Sequence, residues 1–134
     1  MSEPENRRLV EQAYASFKAG DIPTLLESMS EDITWQLPEI ENVPFAGKRQ
    51  GRGAVAQFFT TLASLQDARS FEPREFMAQG DKVAVLGQYV WQVKANGRTY
   101  GADFAHVFTV RSGRIVAFHE YTDTAAAAKA FRPS

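Results

Sequence analysis

Few side chains in this 134-residue chain can do chemistry, and two of them, His106 and Glu120, fall where a site would need them. There is no Cys and there are only two His, so thiolate nucleophiles, disulfides and Cys-ligated metals are excluded. A zinc site would have to lean on carboxylates. What remains is proton transfer by carboxylate, imidazole and phenol. No cofactor and no metal is expected.

The register of the strands carrying them makes this specific. Asn96-Gly97 is a two-residue hairpin signal, and Arg111-Ser112-Gly113 suits a three-residue loop with Gly in the left-handed position. Strands centred on those turns pair Tyr89 with Phe104, Trp91 with Ala102, Phe104 with Glu120 and His106 with Phe118. One face then carries Tyr89, Trp91, Phe104, His106, Phe118 and Glu120. The other carries Gln88, Val90, Gln92, Asp103, Ala105, His119 and Tyr121. The first set is richer in aromatics and belongs inside. A two-residue slip at either turn preserves these faces, whereas a one-residue slip ejects both His106 and Glu120.

A carboxylate on an inward aromatic face must find a hydrogen-bonding partner or take up a proton. Glu120 is therefore the candidate general acid/base, and His106, within diagonal reach, is placed to orient it or to share its proton. The plainer reading is a satisfied buried pair that only fixes register. Around them Trp35 and Leu37, Phe58, Tyr89, Trp91, Phe104 and Phe118 are expected to form a substrate-binding wall. Tyr14 joins that wall, with its ring in the core and its hydroxyl at the rim. Lys48, Arg49 and Arg52 read as a solvated loop, Asp103 as outer-face, and Asp123 as a helix cap.

The elements that hold these residues follow from periodicity. Pro4 to Gly20 reads as a helix with Leu9, Val10, Ala13, Tyr14 and Phe17 on one side. Asp21 caps a short second helix carrying Leu25, Leu26 and Met29. Ile33, Trp35 and Leu37 alternate as a strand, and Pro38 to Arg52 is an irregular loop of a length that suggests function. A third helix spans Gly53–Ser64. Four strands follow, Ser70–Gln79 (an edge, given Pro73), Lys82–Lys94, Arg98–Val110 and Arg114–Thr122, and then a short helix, Thr124–Phe131. The order α-α-β-α-β-β-β-β-α predicts a single α+β domain over residues 1–134. Its strongly twisted antiparallel sheet wraps around the three helices of the N-terminal half as a conical barrel with an apolar interior.

Several short stretches carry a family resemblance. They are Ala19-Gly20-Asp21, Asp32-Ile33-Thr34-Trp35, Gly51-Arg52-Gly53-Ala54-Val55, His106 to Val110, Gly113-Arg114-Ile115 and Glu120-Tyr121-Thr122-Asp123. In this order and spacing the chain resembles the SnoaL-like members of the nuclear transport factor 2-like superfamily, which also holds ketosteroid isomerases and limonene epoxide hydrolases. The resemblance covers essentially the whole chain and implies the conical fold. In SnoaL-like polyketide cyclases a His on the penultimate strand and an acid on the last form the site. His106 and Glu120 match those positions, with Glu replacing the usual Asp. Leu37 stands before Pro38 where the isomerases carry their Asp, and their helical Tyr aligns with Ala13. The hydrolases' Arg-x-Asp pair falls near Gly87 and Tyr89. Neither of those two chemistries is expected.

The function expected is a cofactor-independent acid/base enzyme of cyclase, isomerase or hydrolase type, acting on an apolar, oxygenated metabolite. The alternatives are a non-enzymatic ligand-binding protein and a dimeric adaptor of the same fold. With a formal charge of −1, neither nucleic acid nor a membrane surface is an expected partner. A homodimer through the outer sheet face is expected. The polar, acidic start of the chain and its lack of a long apolar run suggest a soluble cytoplasmic protein.

Overall fold

The computed structural model describes residues 2–133. Helix α1 (Glu3–Lys18) begins with a capping box: Ser2 Oγ accepts from the Glu5 backbone N–H, and the Glu5 carboxylate accepts from the Ser2 N–H. These two bonds satisfy donors that the first helical turn leaves unpaired. Asp21 caps α2 (Ile22–Glu27) through the Thr24 N–H. That helix is shorter than the sequence suggests, because Met29 already starts strand β1 (Met29–Gln36).

The segment between Pro38 and Arg52 is not irregular throughout. Lys48–Gln50 forms a short strand, β2, antiparallel to β1 with Trp35 opposite Arg49. Three residues with no apolar alternation left no readable strand signal. Nor is the basic cluster there merely solvated. Arg49 donates to the carbonyls of Pro44, Phe45 and Ala46 and lies 5.2 Å over the Phe58 ring, and Arg52 donates to the Met29 carbonyl. They tie the loop down, so that Ile40, Val43 and Phe45 are buried.

Helix α3 (Arg52–Leu65) runs without a break into β3 (Gln66–Gln79), followed by β4 (Lys82–Val93), β5 (Thr99–Arg111), β6 (Arg114–Thr122) and helix α4 (Thr124–Ala130). The sheet order is β2-β1-β6-β5-β4-β3. It is antiparallel except for the β1–β6 pair, which is parallel. β3 is an edge strand, as Pro73 requires, and its ladder shifts between Pro73 and Glu75. The sheet remains open, and its concave face is covered by helices that bury Val10, Ala13 and Tyr14 from α1 and Val55, Phe58, Phe59 and Leu62 from α3.

Both hairpins keep the expected faces but shift the partners by two residues. Tyr89 pairs with Ala102, Trp91 with Tyr100 and Gly87 with Phe104. His106 pairs with Glu120 itself, and Phe108 with Phe118. The first shift arises because Asn96 does not take up a left-handed turn position; Gly97 alone has positive φ (71°) there. Asn96 instead accepts from the Arg98 N–H and donates to the Ala130 carbonyl, anchoring α4, and Val93 closes the loop against Arg98. At the second hairpin the loop has two residues, Ser112 and Gly113, both at positive φ (52° and 75°), as a type I′ turn demands. A bulge at Val116 then corrects the ladder: Val110 faces Ile115, while the preceding Thr109 faces Ala117.

Candidate active site

Three side chains from distant parts of the chain form one hydrogen-bonded row. The Tyr14 hydroxyl on α1 lies 2.6 Å from His106 Nδ1, and His106 Nε2 lies 2.7 Å from Glu120 Oε2. Tyr14, His106 and Glu120 are all buried, at 7%, 3% and 9% exposure. The other carboxylate oxygen of Glu120 makes no hydrogen bond to any described residue. Burial, with the Glu120 carboxylate adding to it, pushes the Tyr14 phenol well above its usual range, so the hydroxyl keeps its proton. A protonated Tyr14 that donates to Nδ1 leaves the imidazole hydrogen on Nε2, aimed at the carboxylate. The row thus holds the His106 ring and the Glu120 carboxylate in one orientation.

Aromatic rings hold the imidazole in place. Phe104 stacks on it at 4.1 Å between centroids, and Phe118 meets it edge-on at 4.8 Å. Phe104 in turn lies against Gly87, where any side chain would run into the ring and into the Glu72 carbonyl. That close approach is why position 87 carries no Cβ.

The row borders a cavity of about 90 Å³ whose wall is mainly aromatic. Tyr14, Trp35, Leu37, Phe58, Tyr89, Trp91, His106, Phe118 and Glu120 all line it. Phe104 does not; its ring is a layer further back, behind His106. The expectation that the Tyr14 hydroxyl sits at the rim is overturned, since it is bonded to His106 in the interior. The Tyr89 hydroxyl is committed to Thr122 Oγ1 at 2.9 Å.

Sequence reasoning missed a second polar pair in the wall. Gln66 is 3% exposed, and its Oε1 accepts from the Tyr100 hydroxyl at 2.7 Å. Burial raises the Tyr89 and Tyr100 phenols too, with Glu120 adding to both. Trp35 is stacked on Phe118 at 3.9 Å, and its buried Nε1–H has no hydrogen-bond partner among the described residues. No three His, Cys, Asp or Glu side chains among the described residues converge as metal ligands would.

The open, curved sheet folded over helices is shared with solved NTF2-like proteins. An NTF2-like protein from Burkholderia xenovorans is 35% identical, with 98% of this chain and 99% of that one covered and a TM-score of 0.90. One from Burkholderia pseudomallei is 27% identical over 99% of this chain and 100% of that one, with a TM-score of 0.87. TerC, crystallised with polyporic acid, is 29% identical over 95% of this chain and 98% of that one, with a TM-score of 0.85. No curated protein matches. The SnoaL-like domain profile matches residues 10–118, and the chain belongs to that family. The matched segment includes Tyr14 and His106 and ends two residues before Glu120.

Proposed function

We propose that the protein is a cofactor-independent acid/base enzyme that moves a proton on a small, largely apolar, oxygenated molecule held in the cavity. The observation that carries this reading is the row Tyr14–His106–Glu120 ending on a carboxylate oxygen without a protein partner at a mainly aromatic cavity. Glu120 is the proposed catalytic residue; His106 and Tyr14 are positioning residues. In the proposed step, Glu120 takes a proton from carbon next to a carbonyl, and the C–H electron pair becomes an enolate. Reprotonation of the enolate at another atom completes an isomerisation. Attack on a second carbonyl of the same molecule, with the alkoxide taking its proton from Glu120, completes a cyclisation. The crystallisation of TerC with polyporic acid supports a small organic ligand.

We propose further that the enzyme works in the cytoplasm as a homodimer packed through the outer sheet face. Among the described residues no helix is long and apolar enough to cross a membrane.

Exchange of the α-protons of small aryl ketones such as 2-tetralone, followed by proton NMR in D2O, tests the catalytic role. The wild-type protein is expected to accelerate exchange, and Glu120→Gln to lose about 10²–10⁴-fold of it. Both Trp residues line the cavity, so their fluorescence reports occupancy independently. Ketones that quench both proteins equally but exchange no faster with the wild type would identify a binding protein instead.

A further inference from the structure

A groove of about 460 Å³ adjoins the cavity and shares six of its lining residues: Phe17, Phe59, Leu62, Gln66, Phe71 and Trp91. It runs from the end of α1 past the end of α3 to the start of β3. Of the shared residues only Gln66 has an amide. Its acceptor oxygen is already used by Tyr100, whereas its Nε2 makes no hydrogen bond to any described residue.

Gln66 is also firmly placed. It is at once the last cap of α3 and the first residue of β3, with no loop between them. Its backbone N–H donates to Leu62, and it pairs with Val93 across the sheet. The Nε2 is not sealed in the core: it opens onto the space that the cavity and the groove share, where a ligand acceptor can reach it.

We infer that Gln66 is a second anchor, which binds a hydrogen-bond acceptor on the outer end of a ligand whose inner end reaches Glu120. The ligand is therefore bifunctional: a flat apolar body with oxygen functions at both ends. Asp67 on the same groove is paired with Lys94 at 3.7 Å, and the acceptor matched to the neutral Gln66 N–H donor is a carbonyl oxygen. The inference rests on reading the cavity as a ligand site. It adds to that reading the direction of access and the second functional group that the substrate class must carry.

Three phenols of increasing length (phenol, 2-naphthol and 4-hydroxybiphenyl) and their counterparts with an acetyl group at the far end make the test. Calorimetry would give their Kd values for wild type, Gln66→Met and Gln66→Glu. For the length that spans the site, the acetyl group is expected to tighten wild-type binding about 3–10-fold, the range of one neutral hydrogen bond. Read as the ratio of acetylated to plain probe within each protein, Gln66→Met should erase that gain and Gln66→Glu should turn it into a loss. Should the variants fail to fold, the Gln66 side-chain amide of the wild-type protein is followed by NMR, and must shift with the acetylated probe and not with the plain one. An acetyl gain that survives Gln66→Met, or no gain at any length, overturns the inference while the cavity reading stands. Absence of any probe binding, with no shift of the Trp35 and Trp91 indoles, overturns both.

Discussion

Removing one oxygen from Tyr14 tests whether the buried row acts as a unit. Tyr14→Phe keeps the ring and its contacts with Phe71, Phe76 and Phe108 at 5.6–6.1 Å. It deletes the 2.6 Å bond and leaves His106 Nδ1, in a residue 3% exposed, without a partner. An orphaned buried polar atom costs about 1–3 kcal/mol. The variant should therefore lose about 2 kcal/mol in denaturant unfolding and roughly 5–8 °C in Tm for a chain of this size. The stronger test is a double-mutant cycle with Glu120→Gln. Tyr14 and Glu120 are bonded to opposite nitrogens of one imidazole and interact through it. The two losses should then differ from additivity by about 0.5–1.5 kcal/mol, whereas independent sites add within about 0.5. The same cycle read by NMR titration should show the Tyr14 phenol ionising more easily in Glu120→Gln, because a charge that raises it has been removed. Additive stabilities together with an unchanged Tyr14 titration would refute the row as a coupled unit.

Two other outcomes are expected. Tyr14, Tyr89 and Tyr100 all have phenols raised above their usual value in the folded protein, so the native state holds their protons more tightly than the unfolded chain does. Their stabilisation is complete below pH ~10 and is lost as pH rises above it. Above pH ~10 the stability read by urea unfolding should fall by up to about 1.4 kcal/mol per pH unit for each phenol, and each Tyr→Phe variant should remove one such increment. On the outer sheet face Leu86, Ala105 and Tyr121 lie in one row across three strands, with Tyr121 53% and Leu86 38% exposed. Sedimentation should give twice the chain mass, and Leu86→Glu with Tyr121→Lys should return it to the monomer; a wild-type monomer would refute the dimer.

The faces of the sheet were legible because side chains alternate with a period of two, and a two-residue error in register leaves that alternation intact. The turns were harder to read. Asn96-Gly97 has the composition of a type I′ hairpin, yet a tertiary bond to the Ala130 carbonyl draws the Asn side chain into holding α4. The site was half legible for a related reason. His106 and Glu120 are joined by one local hairpin, so spacing brings them together. Tyr14 and His106 are separated by 92 residues, and Gln66 and Tyr100 by 34. Those pairs depend on how α1 rotates over the sheet and on where α3 ends, which no pattern within one element reveals. The sole available cue was compositional: a Gln beside Leu62 and Leu65 at the end of an apolar helix face.

The bulge at Val116 decides which chemistry the cavity receives. The two-residue turn sets Val110 opposite Ile115; carried on without a bulge, that ladder would place His119 opposite His106 and turn Glu120 outward beside Ala105. One extra residue on β6 reverses this, and it needs an energetic cause. Phe118 provides one: with the bulge its ring is buried and stacked 3.9 Å from Trp35, while Ile115 stays fully buried on the same side. Without the bulge Phe118 would face outward. Burying such a ring contributes about 1.5–3 kcal/mol, enough to offset a local interruption of the ladder. Packing of an apolar residue two positions away therefore holds the carboxylate at the cavity. The parallel β1–β6 pairing, which brings Trp35 beside Phe118, positions the acid as surely as its hydrogen bond to His106 does.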